Sequence, residues 1–80
     1  MRQSISAEAL HALVAAGAAR EVLVLPGPDG IGWQIQVRYS GGGKHYPLRS
    51  RRELVRVFRS LDSLNRYVGK LGIPKYSVEL

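Results

Sequence analysis

Arginine is concentrated in one short stretch of this chain. Five arginines fall within eleven consecutive residues: Arg49, Arg51, Arg52, Arg56 and Arg59. The guanidinium group stays charged at neutral pH and donates hydrogen bonds in a planar fork that fits phosphate oxygens. Across the whole chain, twelve Lys and Arg stand against six Asp and Glu, which gives a formal net charge of +6. Such an excess favours a polyanionic partner.

Other kinds of chemistry find little support in the sequence. His11 and His45 lie on different predicted elements with no carboxylate at the spacing of a metal ligand, and the carboxylates are scattered singly. The Gly-Gly-Gly-Lys run that ends at Lys44 lacks the helix and the Ser or Thr of a phosphate-binding P-loop. The absence of cysteine removes disulfides, thiolate zinc sites and cysteine nucleophiles. We therefore expect no catalytic site, metal site or cofactor, and no enzyme.

The length of 80 residues predicts a single domain over residues 1–80. A hydrophobic fraction of 45% against 22% charged excludes a disordered polar tail. The apolar stretches are far shorter than the roughly 20 residues that span a bilayer, so we expect no membrane contact. A chain without cysteine fits a reducing cytoplasm. A core of this size gives limited stability, which self-association as a homodimer would increase.

The elements that must position the arginines begin with a helix. Ala and Leu favour a helix over residues 4–14, with Ser6 as its N-cap and Gly17 ending it. An apolar strand over 22–25 then runs into a turn at 26–30. The clearest strand covers 33–40, where Trp33 begins a strict apolar and polar alternation. A glycine connection at 41–43 leads to a third strand over 44–49, which Pro47 places at an edge.

Two further strands and a second helix complete the predicted order. Residues 54–58 read as a fourth, more central strand, and Ser60 caps a helix over 61–71 that ends at Gly72. Alternation over 76–80 predicts a closing strand. The fold class is therefore α+β, with an antiparallel-rich sheet of about four to five strands, helices packed on one face and the order α-β-β-β-β-α-β.

If the strands pair as hairpins, polar side chains from two of them share one face of the sheet. Gln34, Gln36, Arg38 and Arg56 would project from this face, with Lys44 and the turn at 50–52 at its ends. Arginine and glutamine suit both phosphates and base edges in a major groove, so duplex DNA is the favoured partner. The alternative is a solvated face whose charges only prevent aggregation at the sheet edge.

Much of the chain resembles a known family. The helix ending at 15–18, the strand at 22–24, the run 32–39, the run 54–62 and the Leu-Gly-Ile of 71–73 are similar to the small ParC-type partition-associated proteins of bacterial plasmids and mobile elements. This resemblance implies a place in plasmid partition or maintenance, and it carries no established functional residues.

A shorter resemblance covers residues 32–71. A tryptophan on the first strand, a glycine-lysine hairpin, a strand ending in Phe58 and an amphipathic helix after Ser60 are similar to the arm-binding domains of phage integrases and to AP2-like domains. Those domains lay a three-stranded sheet in the major groove. The resemblance implies that Gln34, Gln36, Arg38 and Arg56 are the positions that read bases.

Two functional hypotheses follow from the sequence. The first is a non-enzymatic plasmid partition or maintenance accessory protein that binds DNA, or a DNA-bound complex, through a basic sheet face. Its nucleic-acid-binding residues would be Gln34, Gln36, Arg38, Lys44, Arg49, Arg51, Arg52, Arg56 and Arg59. The alternative is a protein-interaction module that self-associates or docks on an acidic partner such as a partition protein, through the edge strand with Pro47 or through the first helix.

Overall fold

A computed structural model describes residues 4–39 and 43–80 of the chain. Its elements are α1 (Ala7–Ala15), β1 (Ala19–Pro26), β2 (Trp33–Tyr39), β3 (Tyr46–Pro47), α2 (Leu61–Leu71) and β4 (Ser77–Val78). The sheet order is β3-β2-β1-β4, antiparallel except for the β1–β4 pair. The predicted α+β class with an antiparallel-rich sheet is confirmed. The predicted glycine connection lies partly outside the described residues.

Both helices are bounded by the predicted capping residues, because helix ends are set by local chemistry, although α1 covers Ala7–Ala15 and not the predicted 4–14. The Ser6 hydroxyl accepts a hydrogen bond from the Ala9 amide at 3.1 Å, and the Ser60 hydroxyl accepts one from the Ser63 amide at 3.1 Å. These bonds satisfy amides that have no partner within the helix. At the other end of α2, Gly72 takes a left-handed φ of 85°, a conformation that glycine adopts without strain.

The core lies between the helices and one face of the β1–β2 hairpin. Register pairs Val22 with Val37 and Val24 with Ile35, so these side chains point to the same side of the sheet. They join Leu10 of α1 and residues of α2 in one cluster of buried apolar side chains. At the start of β1, a β-bulge between Ala19 and Glu21 interrupts the register. None of the helices among the described residues combines the length and apolar character needed to cross a bilayer.

The predicted fourth strand is reduced to one bridge. Phe58 pairs with Trp33 through two hydrogen bonds of 2.8 Å each, but no ladder extends over residues 54–57. Leu54 and Val57 are exposed instead of alternating into the core. The central positions of the sheet belong to β1 and β2. The order α-β-β-β-β-α-β is preserved with this bridge in the fourth place.

The third strand is shorter than predicted because its continuation pairs with the N-terminal segment. After Pro47, Leu48 forms a parallel bridge with Ile5, and both side chains are buried. The Ile5 amide donates to the Pro47 carbonyl, and the Arg49 amide donates to the Ile5 carbonyl, each at 2.9 Å. This pairing was not predicted, since the segment before α1 is too short to show a strand pattern.

Candidate nucleic-acid interface

Four of the five arginines of the central stretch, all except Arg59, lie on a closed loop. We name residues 48–56 the arginine loop. At its base the Arg56 amide donates to the Leu48 carbonyl at 2.7 Å, and nearer the tip the Ser50 amide donates to the Glu53 carbonyl at 3.0 Å. The Ser50 hydroxyl also accepts hydrogen bonds from the amides of Arg52 and Glu53, at 3.3 and 2.9 Å. These bonds hold Arg51 and Arg52 at the exposed tip of a tight turn.

The arginine loop is fixed to the rest of the fold at both ends. Before the loop, Leu48 is fully buried and bridges to Ile5. After it, Phe58 bridges to Trp33, and this approach requires a glycine in the neighbouring turn. A Cβ atom on Gly32 would lie 2.5 Å from the Phe58 carbonyl oxygen and 2.6 Å from Val57 Cγ1. The loop is therefore held against the sheet by backbone contacts that leave its arginines exposed.

Arg56 does not share the sheet face that the sequence predicts for it. Its guanidinium carbon lies 4.6 Å from the centre of the Phe58 ring and 4.8 Å from that of the Tyr67 ring. Both rings belong to the side of the sheet that α2 covers, since Phe58 is part of the core and Tyr67 lies on α2. The charge of Arg56 is thus used in cation–π contacts that join the loop base to the helix.

Tyr67, which holds one side of this contact, was not singled out by sequence. Its hydroxyl is buried and finds no hydrogen-bond partner among the residues that the structure describes. Burial raises the pKa of the Tyr67 hydroxyl above its ordinary value of 10.0, and the nearby Arg56 charge opposes part of this rise. Arg56 therefore contacts the aromatic ring of Tyr67 and does not donate a hydrogen bond to its hydroxyl.

The predicted polar face of β2 exists, but its glutamines are engaged within the protein. Gln34, Gln36 and Arg38 lie on the side of β2 opposite the core. Only 6% of Gln34 is exposed, and its side-chain amide donates to the Pro26 carbonyl at 2.9 Å. Gln36 in turn donates to the Gln34 side-chain oxygen at 3.2 Å. These contacts leave Gln34 poorly placed to read a base edge.

Arg38 on the same face is paired with a carboxylate. Register places Glu21 of β1 opposite Arg38, and Arg38 Nε donates to Glu21 Oε1 at 3.3 Å. His45 Nε2 lies 3.0 Å from the same oxygen. The hydrogen bonds from His45 and then Arg38 lower the pKa of the Glu21 carboxyl below its ordinary value of 4.5. The prediction of one continuous cationic sheet face, including Arg38 and Arg56, is therefore wrong.

The remaining predicted residues are exposed: Lys44, Arg49, Arg51, Arg52 and Arg59. Lys44 precedes β3, Arg49 donates through Nε to the Ser50 carbonyl at 3.3 Å, and Arg59 follows the Phe58 bridge. Within the described part of the chain, both salt bridges involve Glu21. The described loop arginines are therefore not neutralised by a carboxylate within 4.0 Å. The arginine loop and Arg59 carry part of the exposed positive charge on the described residues, and the rest lies on Arg20, Lys44, Arg66, Lys70 and Lys75.

A cleft of about 600 Å³ opens near the β1–β4 edge of the sheet. The cleft lies beside the β-bulge of β1, between the end of α1 and the segment that joins α2 to β4. Its lining includes Arg20, Lys75 and the Glu21–Arg38 pair. Among residues 4–39 and 43–80, no group of three His, Cys, Asp or Glu is placed to hold a metal ion. Comparisons with protein-family models, curated proteins and solved structures found no match.

Proposed function

We propose that this chain is a non-enzymatic accessory protein of plasmid partition or maintenance that binds duplex DNA through the arginine loop. The observation that carries the proposal is the pair Arg51 and Arg52, which a hydrogen-bonded turn holds exposed at its tip. The ParC-type resemblance supports the cellular role, and the absence of cysteine supports a bacterial cytoplasmic location. The binding surface is thus the loop and not the sheet face.

The loop meets the physical requirements of a phosphate contact. Its guanidinium groups donate in a geometry that matches phosphate oxygens, and the turn restricts the backbone before binding. Less conformational entropy is then lost when the complex forms. Arg49 and Arg59, which precede and follow the tip along the chain, are exposed as well. Such contacts supply affinity without sequence specificity.

A charge-reversal pair tests this function. The double variant R51E/R52E places two carboxylates at the tip, whereas R20E/K75E makes the same change of charge at the cleft, across the sheet from β3. Because all four side chains are exposed, we expect both variants to fold, as circular dichroism would verify. Retardation of a duplex at low salt should be lost in R51E/R52E and largely retained in R20E/K75E. Equal loss in the two variants would show that net charge, and not the loop, binds DNA.

A second function is favoured by a separate observation, the exposure of large apolar side chains near the loop. Ile31 is 74% exposed, and Leu54 and Val57 are exposed as well. Val57 packs against the turn that contains Ile31, at the end of β2 where Phe58 bridges to Trp33, and Leu54 lies three residues before Val57 in the chain. They would suit an acidic partner protein, such as a partition protein, or a second copy of the chain. Light scattering and co-purification with nuclease present would detect such a complex, whereas a DNA-bridged complex would dissociate.

A further inference from the structure

We propose that the arginine loop enters the minor groove of A·T-rich duplex DNA, with Leu54 as an apolar wedge against the bases; this inference rests on the proposed function. The proposed function includes only phosphate contacts, which do not distinguish one DNA sequence or groove from another. A loop inserted in the minor groove would prefer A·T-rich sequences and would contact bases through Leu54.

The tip is narrow. The hydrogen bond from the Ser50 amide to the Glu53 carbonyl leaves only Arg51 and Arg52 between its ends. A major groove about 12 Å wide accommodates a helix or a two-stranded ribbon, whereas a minor groove about 6 Å wide admits a narrow segment with extended side chains. A·T-rich tracts narrow the minor groove further and concentrate its negative potential, which attracts arginine. The tip therefore matches the minor groove of such tracts.

Apolar side chains follow directly after the arginines. Leu54 is 46% exposed and Val57 is 42% exposed, although both belong to a segment whose ends are anchored in the fold. A single exposed leucine needs no explanation. An exposed leucine two residues after an exposed arginine matches the pairing that minor-groove proteins use, in which arginine binds the groove and an apolar side chain wedges between base steps.

The loop is anchored to the rest of the fold at both of its ends. Arg56 at the base contacts the rings of Phe58 and Tyr67 at 4.6 and 4.8 Å, which ties the loop to α2. The close approach of Val57 and Phe58 to Gly32 joins the same end to the β1–β2 turn, and the bridge between Leu48 and Ile5 anchors the other end. A wedge on a flexible segment would yield to the stacked bases, but this one is braced by the hydrophobic core.

The experiment compares two duplexes of equal length, one an A·T tract and one made only of G·C pairs. Fluorescence anisotropy with the full chain should show tighter binding to the A·T tract by about tenfold or more. Netropsin, a minor-groove ligand, should displace the protein, and methyl green, a major-groove ligand, should not. The variant L54A should weaken binding to the A·T tract by about fivefold, whereas I31A, which removes an exposed apolar side chain outside the loop, should leave it unchanged.

The outcomes separate this inference from the proposed function. Equal affinity for both duplexes, or displacement by methyl green alone, would overturn the minor-groove assignment and leave DNA binding in place. An unchanged affinity in L54A would overturn the wedge. Absence of binding to either duplex at low salt would overturn both the inference and the function beneath it.

Discussion

The salt dependence of DNA binding gives a quantitative test of the arginine loop. Four exposed arginines lie in the loop or shortly after it along the chain: Arg49, Arg51, Arg52 and Arg59. If each neutralises one phosphate, the logarithm of the binding constant falls with the logarithm of salt with a slope of about −3.6. The double variant R51Q/R52Q removes two of the four charges without adding a carboxylate. Its slope should therefore be about −1.8.

Fluorescence anisotropy of a labelled duplex measures both slopes. Between about 50 and 200 mM salt, the affinity of the unmodified chain should fall by about 150-fold and that of R51Q/R52Q by only about 12-fold. The variant R20Q/K75Q is the matched control, because it removes the same charge on the cleft side of the sheet. Its slope should stay near −3.6 if the loop alone contacts phosphates.

Two results would refute this reasoning. A slope near zero for the unmodified chain would mean that few counterions are released, so that phosphates are not the ligand. An equal reduction of slope in R51Q/R52Q and R20Q/K75Q would mean that the contact is spread over the surface. The variant R56Q would be a poor substitute, because Arg56 is engaged with the Phe58 and Tyr67 rings and its loss would also disturb the loop base.

Three further predictions concern the fold that supports the loop. G30A and G32A both place a side chain at a positive φ, of 76° and 69°, but only G32A also brings its Cβ atom against the backbone of Phe58. Chemical denaturation should therefore show that G32A is less stable than G30A by about 2 kcal/mol. Y67F removes a buried hydroxyl that has no described hydrogen-bond partner, so it should raise the free energy of unfolding by about 1 kcal/mol. Y76F loses the hydrogen bond to Asn65 of α2 and should lower the free energy of unfolding slightly. The opposite order of the two variants would contradict the burial argument. Because the pKa of Glu21 is lowered in the folded state, its stabilising contribution is present above pH 4.5 and is lost as the pH falls through the lower pKa of the folded protein. E21Q should flatten this part of the curve of unfolding free energy against pH. An unchanged curve would show that the contacts of Glu21 contribute nothing to stability.

The parts of the fold that depend on neighbouring residues were predictable from the sequence. The caps at Ser6, Ser60 and Gly72 act within one turn of helix, and the alternation from Trp33 to Tyr39 fixes which side of β2 is buried. The short bridge at Phe58 was not predictable as such. An apolar run over 54–58 has the composition of a strand, but the bonds of the Ser50 turn and the distant Ile5 segment decide how the chain reaches it.

The site was predictable in composition and not in placement. The clustering of arginines identified the loop, because charge density is visible in a sequence. The side on which Arg56 lies depends on the rings of Phe58 and Tyr67, which meet only after α2 packs. The neutralisation of Arg38 depends on the β1–β2 register that brings Glu21 opposite it. Both depend on tertiary contacts that single-strand patterns do not contain.

The bridge between Ile5 and Leu48 has a consequence for how the arginines come to be displayed. Its partners are far apart along the chain, so the entropy of closing that loop must be overcome before the bridge forms. We expect the β1–β2 hairpin to assemble earlier, because its partners are near neighbours. A nascent or partly denatured chain would then carry the full positive charge without the ordered turn. The same charge should thus bind polyanions indiscriminately before folding is complete and with defined geometry only afterwards.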